Sequence, residues 1–76
     1  MTAFEAALSQ ALDVPAEQVT DDLGPAVMGS WTSLRHVQII ATMQRLYGVR
    51  FLPREVRSMR TVGQLRQILR DKGVQL

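Results

Sequence analysis

The stretch from Ser33 to Tyr47 constrains this chain more than any other. At about 100° per residue, Ile39, Ile40, Met43 and Tyr47 fall on one side of a helix, with His36 among them. Arg35, Gln38, Thr42 and Arg45 fall opposite, and Leu34, Val37 and Ala41 run along one border of that polar stripe. Ser30, Thr32 and Ser33 are competing N-cap or first-turn residues, and Gly48 suits the left-handed residue that closes a helix. A lone amphipathic helix of this length is marginal in water. The other segments must therefore cover its apolar side. An apolar edge beside a charged stripe fits a docking surface. The alternative is an edge that packs against residues 19–31.

The remaining segments read as shorter covers. Thr2 and Glu5 form a capping box, and Phe4, Ala7, Leu8, Ala11 and Leu12 have helical spacing, which predicts a first helix over about 3–12. Asp13-Val14-Pro15 ends it, because a residue before proline is pushed out of the helical region. Pro15-Ala16-Glu17-Gln18 suits one helical turn with Pro15 at its first position. Residues 19–31 read as a long connection with turn formers Asp21-Asp22 and Gly24-Pro25, pinned to a core by Val19, Leu23, Val27 and Met28. Connections of this length tend to be functional, although this one can simply span the fold. Val49-Arg50-Phe51-Leu52-Pro53 is extended, with Val49, Phe51 and Leu52 able to reach the core. Pro53 to Arg57 suits a short third helix with proline in its first turn. Thr61-Val62-Gly63-Gln64 fits a second capping box, and Val62, Leu65, Ile68 and Leu69 give a last helix to about Lys72, closed by Gly73. Arg66, Arg70 and Lys72 are expected outward or near its C-terminal end, where the dipole favours cations. The expected fold is all-α: one domain over 1–76, a four-helix bundle with a short third helix and a long loop between helices one and two.

With 76 residues and no cysteine, stability must come from an apolar core, with neither a disulfide nor a thiolate-held metal. No run approaches the roughly 18 apolar residues of a membrane span. Met1 to Glu5 lacks the basic start and apolar run of a signal peptide, so a cytoplasmic location is the expectation. The net charge of +2 hides an asymmetry. Residues 1–31 hold five acids and no Lys or Arg; residues 32–76 hold nine basic residues and two acids. The split points to an acidic and a basic side, and a basic side to an anionic partner. Two ordinary solvated faces would look the same.

Self-contained catalysis finds little support. Ser33 and His36 are three apart on a helix, but no acid occurs between 23 and 54 to orient the imidazole. A partly buried His36 with one ring nitrogen on backbone is the expectation. One histidine and scattered acids give no metal set. Asp21-Asp22 is expected to form a turn or loop cap, and Trp31 to pack at the helix mouth. Ser33 has two readings. One is an ordinary cap or first-turn residue. The other is covalent modification: a phosphoryl group on Ser33 would face free N–H groups and the positive dipole end, with Arg35 close enough for a charge contact.

Several phrases occur together in order: Thr20-Asp21-Asp22-Leu23, Trp31-Thr32-Ser33-Leu34-Arg35-His36-Val37, Leu46-Tyr47-Gly48-Val49-Arg50-Phe51, and Thr61-Val62-Gly63-Gln64-Leu65. Over nearly the whole chain they resemble the acyl carrier proteins, the phosphopantetheine-bearing domains of fatty-acid, polyketide and peptide synthesis. The family pattern is Asp-Ser-Leu at the attachment site, often preceded by Trp in discrete polyketide-type carriers. The resemblance implies that Ser33 carries 4′-phosphopantetheine through a phosphodiester, installed from coenzyme A by a phosphopantetheinyl transferase. The arm's thiol would hold an acyl or aminoacyl group as a thioester. It further implies a monomer, not an enzyme, that meets acyl-loading and acyl-processing enzymes such as a ketosynthase or acyltransferase. Leu34, Arg35, Val37, Gln38, Ala41 and Arg45 would form the docking side, without nucleic acid, membrane or metal.

This sequence departs from that pattern twice. Thr32 stands where the family has Asp before the serine. The second helix, usually acidic, here has Arg35, Gln38, Gln44 and Arg45 and no acid, so a basic partner would be repelled. Two other readings are an unmodified carrier-like interaction domain and a small nucleic-acid binder using the arginine-rich half. Against the latter, Trp31 and Tyr47 are not interleaved with the basic residues.

Overall fold

A computed structural model describes residues 2–76. They form four α-helices and, among the described residues, no strand, which is compatible with a small helical bundle. Helix α1 spans Ala3–Leu12, α2 Ser33–Tyr47, α3 Pro53–Ser58 and α4 Val62–Asp71, and a 3₁₀ turn occupies Ala16–Gln18. No helix among them is long and apolar enough to cross a membrane.

The boundaries follow local chemistry. The Thr2 hydroxyl accepts from Glu5 N–H, and the Glu5 carboxylate accepts from Thr2 N–H at 2.9 Å. Helix α1 stops one residue before the expected proline effect, at Asp13, whose backbone is left-handed at φ 55°. Pro15 caps the 3₁₀ turn in extended conformation; it does not open it as a helical residue, as expected from sequence. Gly48 leaves α2 at φ 65°. Pro53 is in the first turn of α3, with Glu55 accepting from Leu52 N–H at 2.7 Å. At α4, Thr61 accepts from Gln64 N–H at 3.2 Å, but the return bond goes from Arg60 N–H to the Gln64 amide oxygen, one residue earlier than a capping box predicts.

The core joins Phe4, Leu8 and Leu12 of α1, Ile39, Ile40 and Met43 of α2, and Val62, Leu65 and Leu69 of α4 with Val19, Trp31 and Met59 from the connections. Burying each large apolar side chain contributes about 1.5–3 kcal/mol. Val19 is buried and Leu23 and Met28 half-buried, but Val27 is 69% exposed and pins nothing. Val49 and Phe51 pack on the core, whereas Leu52, at the entry to α3, is 46% exposed.

Residues 21–24 are joined to the start of α4. Val62 N–H donates to Leu23 C=O at 2.8 Å and Gly63 N–H to Asp21 C=O at 2.9 Å, satisfying two donors that a helix start leaves open. Arg66 Nε meets Asp21 at 3.1 Å and its guanidinium lies 4.6 Å from the Phe4 ring centre. Lys72 Nζ meets Glu55 at 2.9 Å and lies 5.6 Å from the Phe51 ring centre. Arg66 and Lys72, expected outward or near the C-terminal end of α4, thus tie α4 to the connection and to α3, Lys72 from the C-cap position.

Candidate functional site around Ser33

The start of α2 is set by Thr32. Its extended backbone and its hydroxyl, which accepts from Arg35 N–H at 3.3 Å, make it the N-cap. His36 N–H then donates to Thr32 C=O at 2.9 Å as the first helical bond. Ser33, the first helical residue, is exposed, and its hydroxyl has no partner among the described residues. The backbone N–H groups of Ser33 and Leu34 are also without an acceptor there. A free hydroxyl thus stands beside two free donors at the positive end of a helix of 15 residues.

Trp31 and His36 fix the ground under this serine. Trp31 is 4% exposed, and its indole N–H donates to His36 Nδ1 at 3.1 Å. The other ring nitrogen, Nε2, lies 2.9 Å from Val56 C=O in α3. Because Nδ1 accepts, the ring proton is on Nε2, which donates to Val56: a neutral imidazole spanning connection, α2 and α3. The expected backbone partner of His36 is present, and Trp31 fills the second position. Neither nitrogen is free to take the Ser33 proton, and among the described residues no carboxylate orients the ring.

Beside Ser33 lies an open cleft of about 440 Å³ between the α2 start and α3. Trp31, Val56 and Met59 supply apolar wall, and the exposed Arg57 and Arg60 line the cleft together with Ser33. Met59 and the two arginines were not singled out from sequence. Their only signal is position: Arg57 is in the last turn of a short helix, and Met59 and Arg60 lie in the short link before α4.

The other expected docking residues divide. Leu34 and Val37 are 66% and 60% exposed, while Gln38 and Arg45, also exposed, line the groove between α2 and α1. Ala41 is half-buried beside Ala7, Gln10 and Ala11 of α1. Arg35 is half-buried and turned towards α1, where its guanidinium donates to Leu12 C=O at 2.9 Å. That bond caps the end of α1, which has no basic residue in its last turn. It draws the Arg35 side chain away from the expected contact with a group on Ser33. Thr42, expected on the same outward stripe, donates its hydroxyl to Gln38 C=O and lines the groove against α1.

The Asp21-Asp22 pair does turn work. Asp21 binds Arg66, and Asp22 accepts from the Thr20 hydroxyl, a bond that holds its carboxyl below the usual aspartate range. Among the described residues, no group of three or more His, Asp or Glu converges as a metal site requires.

No model of a known protein family matches the chain, and no curated protein is similar to it. The reading of the site therefore rests on its geometry.

Proposed function

We propose that the chain is an acyl carrier protein: a four-helix bundle that presents a thioester on a 4′-phosphopantetheine arm attached to Ser33. The observation that carries the reading is the division of labour at the α2 start. Thr32 does the capping, which leaves the Ser33 hydroxyl exposed and unpartnered, so helix capping does not explain the serine. The residues around it fit the group. A phosphodiester on Ser33 Oγ would meet the free N–H groups of Ser33 and Leu34, and the cleft beside it offers apolar wall and two arginines. When attached, the arm supplies a thiol that forms a thioester with acyl or aminoacyl cargo.

In this reading the domain's own residues tether and present. Trp31, His36 and Val56 tie the α2 start to α3 through two hydrogen bonds beside the attachment point. Leu34, Val37, Gln38 and Arg45 form the face that the installing transferase and acyl-handling enzymes, a ketosynthase or acyltransferase among them, approach. Polyketide or related specialised metabolism is the setting that the Trp31-Thr32-Ser33-Leu34 phrase favours.

The test is intact-mass measurement after incubation with coenzyme A and a permissive phosphopantetheinyl transferase. The expected result is a gain of one phosphopantetheine, lost in Ser33→Ala with helix content unchanged by circular dichroism. No gain with several transferases would overturn the reading. One observation favours a second reading, an unmodified interaction domain: Thr32 occupies the place of the family's aspartate. Protein recovered from its native host with only unmodified mass would favour that alternative.

A further inference from the structure

The outward face of α2 combines apolar exposure with charge of one sign. Leu34 and Val37 are 66% and 60% exposed and lie one turn apart. Single exposed apolar side chains need no explanation, but two adjacent ones make a patch. The exposed charged residues that share α2 or the Ser33 cleft are cationic. Arg45 stands further along α2, and Arg57 and Arg60 stand beyond Ser33 across the cleft. Among the described residues none of the three forms a salt bridge, whereas Arg66 and Lys72 do. Five of the seven acids are engaged elsewhere: Glu5 in the α1 cap, Asp21 on Arg66, Asp22 on Thr20, Glu55 on Lys72 and Asp71 on Gln67, while Asp13 and Glu17 are exposed. Asp13 adjoins Leu12, whose carbonyl Arg35 holds, and so lies on the α1 side of the α2 start.

We propose that the Leu34–Val37 face docks a protein partner whose apolar contact is rimmed by carboxylates. This deepens the carrier reading, on which it rests, by naming the charge of the enzyme surfaces that approach Ser33. Apolar contact at the centre supplies affinity, and the charged rim supplies orientation and rejects wrong partners. Arg57 and Arg60 beside the α2 start, with Arg45 two turns beyond Val37, would repel a basic enzyme surface and steer an acidic one. A nucleic acid fits less well, because this face exposes no aromatic ring for stacking and its centre is aliphatic. An anionic bilayer fits less well too, because two aliphatic side chains followed by Gln38 offer little area to insert.

The test is an amide-resolved NMR titration of the unmodified chain with two designed helical peptides. Both carry a leucine stripe; one is rimmed with glutamate and the other with lysine. The expected result is binding about tenfold tighter for the glutamate peptide at low salt, with shifts centred on Leu34, Val37, Arg45, Arg57 and Arg60. Arg45→Glu, Arg57→Glu and Arg60→Glu, singly and together, should narrow and then reverse that preference. Leu34→Ser should weaken glutamate-peptide binding about fivefold. Equal or tighter binding of the lysine peptide, shifts away from α2, or indifference to Leu34→Ser would overturn the proposal. So would phosphatidylglycerol vesicles or a short DNA duplex that moves the same amides at lower concentration. Ser33→Ala should bind the peptides like the parent chain. A chain that accepts no arm but discriminates the peptides therefore refutes the carrier reading alone.

Discussion

Gly24→Ala tests how the connection between α1 and α2 is held. Gly24 is buried, and its φ is not positive, so its role is not conformational freedom. It is space. A Cβ there would lie 2.0 Å from the Arg60 carbonyl oxygen, 3.1 Å from its carbon and 3.3 Å from Thr61 Cα. All three are backbone atoms and cannot rotate aside. To admit one methyl group, residues 21–24 must lift from the start of α4. The lift breaks Val62 N–H to Leu23 C=O and Gly63 N–H to Asp21 C=O, each contributing about 0.5–1.5 kcal/mol. It also loosens Arg66–Asp21, worth under about 1 kcal/mol because the aspartate is 69% exposed. The expected loss is about 2–3 kcal/mol, against a total of roughly 4–11 kcal/mol for a chain of this length. At about 4–8 °C per kcal/mol, the thermal midpoint should fall by about 10–20 °C. Urea and thermal unfolding followed by far-ultraviolet circular dichroism measure this directly. Gly29→Ala is the control, because nothing lies within 4 Å of its added Cβ. A Gly24→Ala protein within about 0.5 kcal/mol of the parent would refute the clamp, as would a Gly29→Ala protein equally weakened.

Two further predictions concern the helix starts. Thr32→Ala should cost about 1 kcal/mol, because the Thr32 hydroxyl accepts from Arg35 N–H, whereas Ser33→Ala should stay within about 0.5 kcal/mol; urea midpoints in the opposite order would refute the assignment of the cap. At α3, the Leu52 N–H and then Lys72 hold the Glu55 carboxyl below the ordinary glutamate range. Its folded pKa is below the unfolded one, so its stabilisation is present above about pH 4.3 and is lost as pH falls through the folded value. Glu55→Gln should therefore flatten, without abolishing, the acid limb of the stability curve, since Glu5 is held low in the same way by Thr2. An unchanged acid limb in that variant would refute the role given to Glu55.

What the sequence disclosed, and what it hid, divides along a physical line. Features fixed within one turn of chain were legible: the Thr2–Glu5 box, the φ of Gly48, Pro53 in the first turn of α3, and the apolar period of Ile39, Ile40 and Met43. Features that depend on what lies across the fold were not. A helical wheel of α2 cannot say where α1 will lie, so Arg35 and Thr42 read as outward although both turn towards α1. Val27 and Leu52 are as apolar as Val19 and Phe51, and only the path of the chain leaves them exposed. Gly24 looks like a turn glycine until Arg60 is placed against it. The candidate site shows the same division. Ser30, Thr32 and Ser33 have the same capping chemistry, and one residue of register decided that Thr32 caps while Ser33 is left free. The cleft arginines come from the far side of the chain, where no local pattern marks them.

The two departures from the carrier pattern then become one. An aspartate at position 32 would cap α2 at least as well as threonine, since a carboxylate accepts the same N–H and also meets the positive helix end. Threonine keeps the neutral part of that role through Oγ1 and gives up the charge. Position 32 is exposed, two residues from Leu34, so a carboxylate there would add an acid to the face that Leu34 and Val37 present. The absence of acid from α2 and the threonine before Ser33 therefore act in the same direction. Both leave Arg57 and Arg60 in the Ser33 cleft with no carboxylate among its lining residues. A lone substitution at the cap could be drift in local chemistry. A cap, a helix and a cleft lining that all lack acid agree in sign, and such agreement is what discrimination between partners by charge requires.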